Sequence, residues 1–138
     1  MNTTLAKEFL SASKFAVVGA STDRSKYGNK VLRWYLDRSM LVTPINPKAS
    51  DIEGQETVKN LHELSKPQET GVSVITPPQI TLEVLRDAER CRVPFLWLQP
   101  GAADEAVREY IEGGSLKDKV LYGGPCILRD GPGLLSKL

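Results

Sequence analysis

The sequence is poor in the residues that mark several large classes of protein. It has two cysteines and one histidine in 138 residues. Cys91 and Cys126 are too few for a disulfide framework, which points to reduced thiols and a cytoplasmic location. No spacing of Cys, His and carboxylates suggests a metal, and no Ser-His-Asp set is readable around the lone His62. No apolar run approaches the ~18 residues that a membrane span needs. Met1 to Leu10 carries Lys7 and Glu8, without the apolar run of a signal peptide or the arginines of a transit peptide. No sign of charge dominates, since 18 Lys and Arg face 17 Asp and Glu for a net charge of +1. A global field for nucleic acid or an anionic membrane is therefore absent, and any anion must be held by local placement. Repeats, low-complexity tracts and linkers are also missing, so the expectation is one domain over 1–138 with its core at about 5–130.

Short apolar runs alternate with longer helical patterns, and this order predicts an α/β fold with a parallel sheet. Five strands are expected at Phe15–Gly19, Leu41–Ile45, Val72–Ile75, Phe95–Leu98 and Val120–Tyr122. They are apolar almost throughout, as in strands covered on both faces. The class is thus a three-layer, Rossmann-like, doubly wound five-stranded sheet. Pro44 removes a ladder donor and should lie near its strand's end. Helices are expected at Thr4–Ser11, Gly28–Arg38, Pro78–Cys91 and Ala102–Glu112, with a weaker one at Thr57–Leu64. From Gly123 onward, Gly123, Gly124, Pro125, Gly131, Pro132 and Gly133 read as loop.

In such a sheet a ligand sits beyond the carboxyl ends of the strands, where strand order reverses. The first loop there runs from Gly19 through Ala20, Ser21, Thr22, Asp23, Arg24, Ser25, Lys26 and Tyr27 to Gly28. Gly19 permits a tight turn, amides at the following helix start attract phosphate, and the hydroxyls and cations add to that pull. An ordinary solvated turn is the plainer reading. The loop is not a dinucleotide fingerprint, because Ser21 stands where G-x-G-x-x-G has its second glycine. The second strand leads into Asn46-Pro47-Lys48 rather than the carboxylate an NAD ribose wants. A lysine there suits phosphate, which leaves NADP as a minor option. Thr76-Pro77-Pro78-Gln79 follows the third strand and offers an apolar wall or, more plainly, a helix start. Gln99-Pro100-Gly101-Ala102 follows the fourth strand at the mouth of the same site.

Taken in order, these segments resemble the small stand-alone CoA-binding domain family, related to the α-subunit of succinyl-CoA synthetase. The resemblance rests on Val17-Val18-Gly19-Ala20-Ser21, Tyr27-Gly28 with Val31, Val42-Thr43-Pro44-Ile45-Asn46-Pro47-Lys48, Val74-Ile75-Thr76-Pro77-Pro78 and Leu96-Trp97-Leu98-Gln99-Pro100-Gly101. Gly124-Pro125-Cys126 falls where such domains often carry a cysteine. The resemblance implies that Gly19, Ala20 and Ser21 face the phosphates of coenzyme A. It places Asn46, Pro47 and Lys48 at the adenosine end and Thr76 and Pro77 along the cleft. It implies binding without ligase chemistry, since the synthetase's phosphorylated histidine belongs to a second domain and His62 matches no such motif.

The remaining candidates have plain readings. Cys91, Trp34 and Trp97 read as core, His62 as a solvated surface residue, and Cys126 as a small buried hydrophobe that only a thiol ligand would make reactive. Asp104, Glu105, Glu109 and Glu112 share one helix and read as solvated. Three function classes stand: a cofactor-binding module, an enzyme using NADP or an acyl-CoA through Lys26, Arg24 or Cys126, and an interaction protein on a Rossmann scaffold. Whether the chain pairs as a homodimer is left open.

Overall fold

The computed structural model describes residues 2–138. Its main sheet holds β1 (Lys14–Val18), β2 (Val42–Ile45), β5 (Thr70–Val74), β6 (Phe95–Leu98) and β7 (Val120–Leu121), all parallel, in the order β2-β1-β5-β6-β7. Order reverses between β1 and β5, which puts the switch point at their carboxyl ends. All five expected strands are present, and the sheet is covered on both faces.

Alternation along the strands divides the core in two. Phe15, Val17, Trp97 and Leu121 face α1 (Thr3–Leu10), α2 (Tyr27–Asp37) and α5 (Ile127–Leu135). Ala16, Val18, Val72, Val74, Leu96, Leu98 and Val120 face α3 (Pro78–Cys91) and α4 (Glu105–Glu112). The polar Ser73 is accommodated because its hydroxyl meets that of buried Tyr35 from α2 at 2.6 Å. Pro78 occupies the first turn of α3, as expected of a residue that needs no amide donor there. Pro44 lies in edge strand β2, where its carbonyl accepts from Val58 on the side away from β1. Its missing N–H faces that outer side too, so the β1 ladder keeps its bonds.

Two expectations need correction. The weak helix expected at Thr57–Leu64 is instead a bridge from Val58 to Ile45 followed by a single 3-10 turn at Leu61–Glu63. Just before it lies a hairpin of β3 (Asp51–Ile52) and β4 (Gln55–Glu56), turning through Glu53 and Gly54. Both turn residues have positive φ, at 51° and 79°, as a two-residue hairpin turn of matching twist demands.

The second correction is α5, which replaces the loop expected after Gly123. Its glycine and proline content hides a packing requirement. A Cβ at Gly131 would lie 2.5 Å from Cζ2 of Trp34, a residue 5% exposed, so only glycine lets α5 close on α2. The Asp130 carboxylate accepts from the Cys126 amide at 2.9 Å and closes the helix start. Apolar Ile127 and Leu134 are buried against the α2 face.

Gly131→Ala is therefore expected to destabilise the fold by about 1–3 kcal/mol through overpacking, despite the better helix propensity of alanine. Gly133→Ala meets no atom within 4 Å and is expected to be neutral or to stabilise by up to about 1 kcal/mol. Urea denaturation of both variants checks the pair; equal effects would remove the Trp34 contact as the reason for Gly131.

Candidate functional site

The loop after β1 is held by two missing side chains. Gly19 has φ +92°, and a Cβ there would stand 1.9 Å from the Ile75 carbonyl oxygen. A Cβ on Gly28, in the first turn of α2, would stand 2.0 Å from the Gly19 carbonyl oxygen. The start of α2 is thus pressed against the end of β1, and both against the segment leaving β5. No side chain caps α2 at Lys26, so its first-turn amides remain available to a ligand.

Polar side chains tie this loop to its neighbours. Asn46, at the end of β2, donates from Nδ2 to the Ala20 carbonyl at 2.9 Å. Its Oδ1 accepts from the Lys48 and Ala49 amides at 2.8 and 2.9 Å. Buried Asn29 donates to the Ser21 carbonyl at 2.8 Å and to Glu53 at 3.3 Å, and accepts from Arg33 at 2.7 Å. Within the loop, Asp23 accepts from the amide and hydroxyl of Ser25, which holds its carboxyl below the usual range. Arg24 is not a free cation, because Glu53 sits 3.4 Å from its Nε. Lys26 and Lys48 are exposed and outside every ion pair found among the described residues.

Beside the loop opens a cleft of about 250 Å³ at the switch point. One wall is Val18, Gly19, Ala20, Ile45, Asn46 and Pro47; the other is Thr76, Ile80, Glu83, Val84 and Asp87 of the β5–α3 region. Lys59, Asn60 and Leu61 close one side. Thr76 is steadied by Thr81, whose buried hydroxyl lies 2.7 Å from its own. A second depression, lined by Thr76, Pro77, Pro100 and Gly101, adjoins it.

The expected residues thus divide. Gly19, Ala20, Asn46, Pro47 and Thr76 meet in the cleft, and Pro77, Pro100 and Gly101 continue its rim. Ser21, Thr22, Arg24, Lys26 and Lys48 stand outside the lining, and Pro78 sits in the helix turn behind it. Gln99 lies beneath the mouth, at 1% exposure. Its Oε1 accepts from the Ile127 amide at 2.9 Å and from the Tyr27 hydroxyl at 3.4 Å, while its Nε2 is buried without a partner. Half-buried Tyr27 also touches the Cys126 thiol; burial first, then that contact, push its hydroxyl well above the usual range and keep it protonated. Cys126 is therefore a polar contact at the start of α5 and not simply a core filler.

Sequence reasoning missed Lys59, Asn60, Ile80 and Glu83 as cleft residues and Asn29 and Glu53 as supports. Asn29 carries a signal, being a polar residue within the apolar pattern of α2. Glu53, Lys59 and Asn60 lie in or between the hairpin and the 3-10 turn, which bring them to the switch point, while Ile80 and Glu83 lie in the first turns of α3 and face the cleft only once that helix packs beside it.

Asn46→Asp tests the tie between loops. It keeps the acceptor for Lys48 and Ala49 but sets a carboxylate against the Ala20 carbonyl. A loss of about 1–3 kcal/mol is expected in urea denaturation at neutral pH. Unchanged stability would show that the two loops do not depend on this bond.

Comparison with known proteins places the chain in a family. The model of the CoA binding domain family matches residues 13–132. Among solved structures, the chain is similar to a conserved hypothetical protein from Pyrococcus furiosus at 33% identity, TM-score 0.76, over 85% of this chain and 97% of that one. It is similar to cell-free ID.343 from Thermus thermophilus at 26% identity, TM-score 0.81, over 97% and 99%. It also resembles part of the dinucleotide-forming acetyl-coenzyme A synthetase 1 of Ca. Korarchaeum cryptofilum, a structure in complex with phosphate and ADP. There the identity is 25% and the TM-score 0.70, over 81% of this chain and 25% of that one. No curated protein matches the chain. With the family model spanning residues 13–132 and solved structures sharing the fold, the chain belongs to the CoA binding domain family.

Proposed function

We propose that this protein binds coenzyme A or an acyl-CoA by its nucleotide part, without ligase chemistry of its own. The observation that carries this reading is the uncapped amino end of α2 packed against Gly19, which itself borders an apolar cleft at the switch point. Phosphate is drawn to the free amides and the helix dipole there. Ser21 supports this, because its Oγ accepts from the Asp23 amide at 3.0 Å and still has its proton to donate. The cleft takes a ring system and not a whole cofactor. Ile45 and Pro47 face Ile80 and Val84 across it, which suits a flat adenine between apolar walls. The acyl or pantetheine end then runs outward over Pro77, Pro100 and Gly101. Lys48 and Lys59 flank the adenosine end as cations for the ribose phosphate. The binding-site residues expected from the sequence serve in this reading as contacts or, for Gln99 and Asn46, as supports of contacts.

The test is thermal shift with CoA, NAD, NADP and ATP. CoA at 100 times its dissociation constant is expected to stabilise the fold by about 2.7 kcal/mol. A shift with NAD alone would overturn the assignment.

Lys48 tests the orientation. A hydrogen bond to a charged group contributes about 1.5–3 kcal/mol, and exposure draws the effect to the lower end. Lys48→Ala is therefore expected to weaken CoA about 10-fold in calorimetry. Dephospho-CoA, which lacks the 3′-phosphate, should be affected little. Equal losses for both ligands would reverse the assigned orientation.

A further inference from the structure

His62 and Cys91 read from the sequence as a solvated surface residue and a core residue. The fold brings them together with Asp87. Cys91 Sγ lies 3.3 Å from His62 Nδ1, and His62 Nε2 lies 3.1 Å from Asp87 Oδ1. Asp87 and Cys91 are four residues apart on α3 and so share a face. His62 is delivered by the 3-10 turn at Leu61–Glu63, and that turn is fixed at both ends. Asn60 Oδ1 accepts from the His62 amide at 3.0 Å, and Glu63 accepts from the Lys59 amide at 3.0 Å.

The carboxylate determines the imidazole's tautomer. Asp87 can only accept, so Nε2 carries the proton and Nδ1 presents its lone pair to the thiol. The order is nucleophile, base, orienting carboxylate, the arrangement of an assisted thiol. Arg90 lies 3.4 Å from the same Asp87 oxygen and helps to hold the carboxylate in place. His62 and Asp87 side chains are 49% and 30% exposed, and Cys91 is half-buried, so a small molecule can reach the group.

We propose that Cys91, His62 and Asp87 form an acyl-accepting thiol site that takes the acyl group of a small thioester. The Cys91 sulfur attacks the carbonyl carbon while its proton passes to His62 Nδ1. The carbon–sulfur bond of the donor breaks, and the departing thiolate takes that proton. The products are S-acyl-Cys91 and a free thiol, with no change of oxidation state and no co-reactant. Burial, and then the Asp87 charge, hold the resting Cys91 thiol above its ordinary range. It therefore starts protonated, which is why the reaction needs a base at its side.

The site does not rest on nucleotide binding, since among the three residues only Asp87 borders the cleft. Its probe is accordingly S-acetyl-N-acetylcysteamine, which carries no nucleotide. The full chain is incubated with it and each cysteine is read by peptide mass spectrometry. Cys91 is expected to be acetylated about 100-fold faster than free N-acetylcysteine at the same pH, the low end of base assistance. His62→Ala should bring the rate down to that of the free thiol, and added imidazole should restore part of it. A merely structural His62 would not respond to imidazole. A Cys91 rate no higher than the free thiol, a rate unchanged by His62→Ala, or faster acetylation of Cys126 would each overturn the proposal.

Discussion

The carboxyl edge of the sheet depends on two backbone contacts that leave no room for a side chain. The Gly19 carbonyl occupies the space a Cβ on Gly28 would fill, and the Ile75 carbonyl occupies the space of a Cβ on Gly19. Through this stack, β1, the start of α2 and the exit of β5 become one rigid corner. The amino end of α2 then starts beside Gly19, which borders the crevice where strand order reverses and where such sheets hold their ligands. The α2 amides there are uncapped because the residue at the cap is Lys26, whose side chain has no acceptor, and free amides at a helix start attract an anion.

Around that corner, polar side chains act mainly as ties. Asn46 and Asn29 each bridge two segments, and Glu53 from the hairpin turn reaches both Asn29 and Arg24. Arg24 is partly neutralised by its partner, while Lys26 and Lys48 are exposed and outside every ion pair found among the described residues. On the opposite flank, Gln99 joins α5 and Tyr27 beneath the mouth, and Trp34 closes on Gly131. The two flanks hold the cleft from different sides, one by hydrogen bonds between loops and one by packing of helices.

Much of this was legible beforehand because parallel strands and amphipathic helices announce themselves by period. All five strands, the two-sided covering and the helix start at Pro78 follow from apolar runs and from Pro and Gly punctuation. Gly19, Ala20, Asn46, Pro47 and Thr76 were readable as one site because each follows a strand at its carboxyl end. The hairpin was not legible, since Glu53-Gly54 lacks the Asn-Gly or Asp-Gly turn signature. Nor was α5, whose composition argues for a loop until Trp34 is seen to occupy the space beside Gly131.

The sequence by itself determined the fold class, the order of the elements and which loops meet at the ligand edge, because those depend on local periodicity and on a topological rule. Tertiary structure alone decided which side chains in those loops face outward and which are consumed as supports. It also decided that His62, Asp87 and Cys91 converge. The physical reason is distance along the chain: His62 and Cys91 are brought within 3.3 Å only when the 3-10 turn packs on α3, and no period or propensity encodes a contact of that separation.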